Sequence, residues 1–154
     1  MPHSTREQRA RLMALPNAML LATLVLGPAD PMVRLSDLID EMRYFREVRE
    51  AYPDNTLIQG MLQDADNPLP GLQLSSLADR EAVLHELRQY IEETSALLGN
   101  DLEAKEFTAC LAALADMIAE DVEQGQFGSD QAIEQAQMKY LRTLQQQFSF
   151  PSPR

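Results

Sequence analysis

Four carboxylates crowd the end of one predicted helix, and their spacing suggests cation chemistry. Asp116 and Glu120 are one helical turn apart, and Asp121 and Glu123 follow directly. The C-terminus of a helix carries partial negative charge, so acidic side chains there are unfavourable unless a positive group neutralises them. Asp121 and Glu123, together with Glu134 on the next helix, are therefore the candidate ligands for a divalent cation.

The same stretch can also be read as a simple turn between two packed helices. A calcium-binding EF-hand loop that began at Asp121 would need Gly at its sixth position and Glu at its twelfth, where this sequence has Gln126 and Ala132. Lys139 or Arg142 could supply the neutralising charge in place of a metal. Most acidic clusters on helices are solvated faces, so the sequence favours the structural turn and keeps the cation as the alternative.

The remaining reactive residues do not form a known catalytic motif. Cys110 is the only cysteine, and it falls on an apolar helical face, where a thiol is inert. His85 begins HELRQ, which has Gln89 where the zinc-protease motif has its second histidine. One cysteine and two histidines do not make the usual four-ligand zinc site. We therefore expect a protein that is not an enzyme and has no resident cofactor.

The composition restricts the partners and the type of core. Lys and Arg total 13 against 24 Asp and Glu, which gives a net charge of −11. Such a surface repels nucleic acids and anionic lipids, so we expect neither a nucleic acid nor a membrane as partner, and a partner protein with a basic or apolar surface. The lone cysteine favours a reducing compartment, which indicates the cytoplasm. The apolar run at 18–26 is shorter than the ~20 residues of a membrane-spanning helix.

Apolar residues recur at steps of three and four along the chain, and no window shows the alternation typical of strands. This pattern predicts an all-α fold, a compact orthogonal bundle of six to seven helices in one domain over 1–154, with a polar tail at 149–154. The run at 17–26 is apolar on nearly all sides and should be the buried central helix. The predicted helices cover about 5–14, 17–26, 36–52, 56–65, 77–98, 102–123 and 130–148.

The two halves of the chain contain a weak internal repeat. Residues 19–30 align with 110–121, and after an insertion residues 42–45 align with 138–141. Each half then contains an apolar helix, an acidic turn and a capped amphipathic helix. Two such hairpins could pack around one shared core.

This arrangement resembles the TerB-like helical proteins, named for a tellurite-resistance protein of bacteria. The resemblance rests on Ala29-Asp30 and Asp121 at the two turns, on Glu41 and Glu134 in the helices that follow, and on YPDNTLIQGML between the halves. The family has Ala-Asp-Gly at its turns, whereas this chain lacks the glycines. The resemblance implies a helical bacterial protein with a stress or metalloid-response context.

Two functional hypotheses follow. The first is a non-enzymatic cytoplasmic protein of TerB-like type that acts by protein interaction or by binding a cation, with a homodimer left open. The second is an acidic inhibitor or immunity-type protein that covers a basic partner such as a nuclease, because its negative surface can imitate phosphates.

Overall fold

The computed structural model describes residues 6–26, 44–61, 79–124 and 131–149. Seven helices and no strand occur in these ranges, which confirms the predicted all-α bundle. None of the helices in these ranges is both long and apolar enough to cross a membrane. The helices are α1 (Arg6–Met13), α2 (Leu15–Val25), α3 (Tyr44–Ala51), α4 (Thr56–Gln59), α5 (Arg80–Ser95), α6 (Leu102–Glu123) and α7 (Gln131–Ser149).

Helix α2 is the central helix of the bundle, as its apolar sequence predicts. Every residue from Leu15 to Val25 is buried. Pro16 lies in the first turn, where its missing N–H would have no helical partner and its fixed φ suits the helix. Helix α2 contacts α1, α5, α6 and α7, so these four helices pack around it.

Side chains from two other helices complete the C-terminal end of α2. The last carbonyls of a helix have no partner within the helix and need donors from elsewhere. Gln137 of α7 donates from Nε2 to the Thr23 carbonyl at 2.8 Å, and Arg80 of α5 donates to the Val25 carbonyl at 2.9 Å. Gln137 is fully buried. These bonds tie the end of α2 to both of the helices that flank it.

The helix starts follow ordinary capping chemistry. The Asp101 side chain accepts a hydrogen bond from the Ala104 N–H and caps α6, which begins at Leu102 where the sequence predicts a helix. Helix α5 begins at Arg80 with Asp79 as its N-cap, whereas the predicted start near residue 77 lies outside the described residues. Helix α5 also ends at Ser95, earlier than residue 98, because the Leu97 and Leu98 N–H groups bond three residues back in tighter turns.

Helices α6 and α7 form a closely packed hairpin. The spacing of its apolar residues predicts a core face of α7 at Ile133, Ala136, Tyr140, Leu141, Leu144 and Phe148. The last four of these are buried, but Ala136 is exposed and its neighbour Gln137 faces the core. Residues 27–43, which include the predicted turn of the first hairpin and the predicted start of the helix at 36–52, lie outside the described residues, so the internal repeat stays a prediction.

Candidate functional site

The three predicted cation ligands lie at the two ends of the α6–α7 hairpin connection. Asp121 is half-buried in the last turn of α6, Glu123 is the exposed last residue of that helix, and Glu134 is in the first turn of α7. Burial raises the pKa of Asp121, and the neighbouring Glu120 carboxylate raises it further. The negative charge at this helix end is therefore unfavourable, as the sequence indicates.

The described residues at this helix end do not supply a neutralising group. Within 79–124 and 131–149, neither Lys139 nor Arg142 pairs with the acids. No three His, Cys, Asp or Glu side chains are grouped as metal ligands in the described part of the chain. Residues 125–130 of the turn lie outside that part, so cation binding by Asp121, Glu123 and Glu134 stays a prediction.

The two other candidate reactive residues have the surroundings expected from the sequence. Cys110 is 5% exposed and belongs to the hydrophobic core. His85 is exposed on α5. The Cys110 thiol is thus placed as a small core side chain rather than as an accessible nucleophile.

A network of polar groups joins α1, α4 and α6, and we call it the Glu103 node. The Glu103 Oε1 atom lies 3.1 Å from Nη2 of Arg9, and Oε2 accepts bonds from the Thr56 N–H at 3.0 Å and from its hydroxyl at 2.5 Å. The Arg9 guanidinium also donates to the Thr56 hydroxyl. Burial alone would raise the pKa of Glu103, but the bonds from Thr56 and Arg9 outweigh it, and the pKa is lowered.

Asn55 extends the Glu103 node beneath the surface. The side chain is 2% exposed, and its Oδ1 caps α4 by accepting the Ile58 N–H at 3.0 Å. Its Nδ2 donates to the Glu103 carbonyl at 2.9 Å and to the Glu106 carboxylate at 3.1 Å. The side-chain oxygen and nitrogen of Asn55 are both satisfied, so the node is a structural junction.

A second polar region is a groove between α5 and α7, with Leu26 after the end of α2 as part of its lining. We call it the α5–α7 groove, and its volume is about 480 Å³. A volume of this size is within the range of small-molecule sites, roughly 300–1,000 Å³. The lining consists of apolar Leu26, Ile91, Ala136 and Leu144 and of polar Arg88, Glu92, Lys139, Tyr140 and Thr143.

Arg88 and Tyr140 form the most unusual contact of the groove. The Arg88 guanidinium carbon lies 4.8 Å from the centroid of the Tyr140 ring, a cation–π arrangement. Tyr140 is 7% exposed, and no described residue meets its hydroxyl at hydrogen-bonding geometry. Burial raises the pKa of Tyr140 to about 12, although the nearby Arg88 charge acts in the opposite direction. The groove wall therefore contains a buried hydroxyl that lies near the Arg88 guanidinium and has no partner at full hydrogen-bonding geometry among the described residues.

The rim of the groove has more donors than acceptors. Arg88 and Lys139 are exposed and have no ion-pair partner within the described ranges. The Thr143 hydroxyl donates to the Lys139 carbonyl within α7. Glu92 is the one carboxylate among the described lining residues. A groove with this lining can hold a partly apolar ligand and bind an anionic group at the rim.

Sequence reasoning did not find the α5–α7 groove, although part of its signal is visible. Arg88 and Glu92 are four residues apart, as are Lys139 and Thr143, so each pair lies along one helix face. The sequence does not show that these two faces lie beside the same end of α2. The sequence suggests for Lys139 only the role of a neutralising charge at the acidic turn.

Comparison with known proteins does not add a relative. The chain matches no protein-family model, and neither a curated protein nor a solved structure is significantly similar to it. The resemblance to the TerB-like proteins therefore depends on the turn and helix residues alone and stays a prediction.

Proposed function

We propose that this protein acts by binding rather than by catalysis, and that the α5–α7 groove is its main binding site. The observation that carries the proposal is the groove itself, with its apolar lining and the charges of Arg88 and Lys139, which no described residue pairs. Ligand sites in proteins typically combine an apolar lining with a few polar groups that orient the ligand. The buried Cys110 and the exposed His85 do not compete with the groove as reactive centres.

A small-molecule fragment screen followed by amide NMR tests this proposal. We expect bound fragments to change the amide chemical shifts of residues on α5 and α7 and of Leu26. Ala136→Trp should fill the groove and abolish these shifts, because the exposed Ala136 lines it. Ala132→Trp is the matched control, since Ala132 is exposed one turn earlier on α7 and does not line the groove. Fragments that bind equally to both variants would contradict the proposal.

A second candidate function is the binding of a basic protein, and the surface of α6 favours it. Asp116, Glu120 and Glu123 are all exposed and spaced four and three residues apart, so they form one acidic stripe. An acidic inhibitor or immunity-type protein would use such a stripe against a cationic partner. The triple variant Asp116→Asn, Glu120→Gln, Glu123→Gln should lose affinity for a lysine-rich peptide in calorimetry. Equal affinity for wild type and variant would remove this candidate.

The TerB-like resemblance adds a biological setting to the proposal, a bacterial cytoplasmic role in stress or metalloid response. The part of this proposal that can be tested physically is the binding of a cation by Asp121, Glu123 and Glu134. Calorimetry with Ca²⁺, Mg²⁺, Mn²⁺ and Zn²⁺ tests it, because a ligand that binds the folded state releases or absorbs heat and raises the melting temperature. If none of the four ions does either, the cation hypothesis is wrong.

A further inference from the structure

We propose that the α5–α7 groove binds a small amphipathic carboxylate, with the anionic end at Arg88 and Lys139 and the apolar body against Leu26 and Ala136. This inference rests on the proposed function and specifies its ligand class. It also assigns roles to the two cations on the rim of the groove.

The balance of donors and acceptors in the groove favours an anion. Arg88 and Lys139 are exposed on the rim and contribute only donors. Glu92 is the single carboxylate of the described lining, so two cations face one acid. A carboxylate accepts several hydrogen bonds and matches the planar donor geometry of an arginine.

The position of Arg88 also favours a defined ligand. Its guanidinium lies over the Tyr140 ring, which restricts a long side chain that would otherwise be free on the surface. An arginine held by stacking loses less conformational freedom when it binds a carboxylate.

The apolar lining of the groove indicates the chemical character and the length of the rest of the ligand. Leu26 is half-buried and Ala136 is exposed, so these two residues supply the accessible apolar surface, with Ile91 and Leu144 of the core behind them at 1% and 2% exposure. The lining residues of α7 run from 136 to 144, roughly 12 Å along a helix. A medium-length alkyl chain or a ring system of similar length therefore fits better than a compact inorganic anion.

The net charge of −11 does not oppose this assignment at short range. Charges more than about 8 Å apart in water are largely screened at physiological salt. The local charges of Arg88, Lys139 and Glu92 therefore decide the affinity. The overall charge mainly slows the approach of an anion, and this effect falls as salt increases.

Calorimetric titration with three eight-carbon probes of different charge tests the ligand class. We expect octanoate to bind at least tenfold more tightly than 1-octanol, and octylammonium to bind weakest. Equal binding of octanoate and 1-octanol would overturn the carboxylate assignment but leave groove binding intact. If octanoate does not bind, the assignment fails as well, and the fragment screen then decides separately whether the groove is a binding site.

Variants of the rim locate the bound carboxylate. Arg88→Gln should weaken octanoate binding about tenfold, which is the loss of one charged hydrogen-bonded contact. Lys139→Gln should weaken it about threefold, because a flexible exposed ammonium contributes less. The control is Lys105→Gln, which removes the same charge from an exposed position on α6 outside the groove. Equal effects of Arg88→Gln and Lys105→Gln would overturn the proposal.

Discussion

The Glu103 node and the α5–α7 groove both gather polar side chains from distant parts of the chain, but they use them differently. At the node, the Arg9 guanidinium and the Thr56 hydroxyl and N–H all bind the Glu103 carboxylate. At the groove, Arg88 and Lys139 have no ion-pair partner among the described residues, and the Tyr140 hydroxyl lacks a hydrogen bond there. The node uses its polar groups to join helices, whereas the groove leaves the exposed charges of Arg88 and Lys139 available to a ligand.

The difference has a direct energetic meaning. A buried polar group with its partners in place contributes to stability, and removing one partner leaves the others unsatisfied at a cost of roughly 1–3 kcal/mol. A polar group without a partner can be removed with little loss, or even with a gain. Substitutions at the node should therefore change stability, whereas substitutions at the groove should change binding.

The largest expected effect is at the buried end of the node. Asn55→Ala should lower the free energy of unfolding by about 3 kcal/mol, because it removes the cap of α4 and leaves two acceptors of α6 without their donor. Urea denaturation followed by circular dichroism measures the loss. Asn100→Ala, at an exposed position, is the control and should be nearly neutral. A similar loss in both variants would show that Asn55 has no special role.

The next effect is at Glu103 and depends on pH. Glu103→Gln should cost about 2 kcal/mol at pH 7, since it weakens the bonds from Arg9 and Thr56. The folded state lowers the pKa of Glu103, so its contribution is present above the unfolded value near 4.3 and is lost as pH falls through the folded value. Wild type and variant should therefore converge in urea denaturation at acidic pH.

Asp116→Asn provides the comparison for Glu103→Gln, because it removes the same charge from an exposed position on α6. Its effect should stay within about 0.5 kcal/mol at either pH. If the Glu103 and Asp116 variants lose equal stability, the node is not the source of the acid sensitivity.

Tyr140→Phe tests the groove at alkaline pH, where the wild type should lose more stability than the variant. The pKa of Tyr140 is raised to about 12 by burial, so the unfolded chain ionises first and stability is lost between about pH 10 and 12. A phenylalanine side chain cannot ionise, so the variant should retain up to about 2 kcal/mol more stability than wild type near pH 12. Urea denaturation at pH 9, 10.5 and 11.5 measures the difference. A constant difference across this range would argue against the raised pKa.

The smallest expected effect on stability is at the groove rim near neutral pH. Arg88→Gln should lower the free energy of unfolding by no more than about 1 kcal/mol, the magnitude of an exposed cation–π contact. The thermal midpoint of unfolding measures it. A loss as large as that of Asn55→Ala would show that Arg88 is structural, and the contrast between the two regions would not hold.

The bundle could largely be predicted from the sequence, because its signals are local. The all-apolar run of α2, the Asp101 cap and the spacing of apolar residues on α6 each indicate structure within a few turns. The node and the groove depend on which helix faces lie together, as when Arg9 meets Glu103 across 94 positions. Periodicity does not encode such long-range pairings, so it does not show that Gln137 rather than Ala136 faces the core.

The hydrogen bond between Gln137 and the Thr23 carbonyl joins two segments that the ribosome makes at different times. Its partners are 114 positions apart, so the apolar α2 leaves the ribosome long before α7 exists. At about 5–20 residues per second the delay is roughly 6–23 seconds. During that interval the most hydrophobic helix of the described chain lacks one of the helices that cover it, so part of its apolar surface stays open until α7 is made.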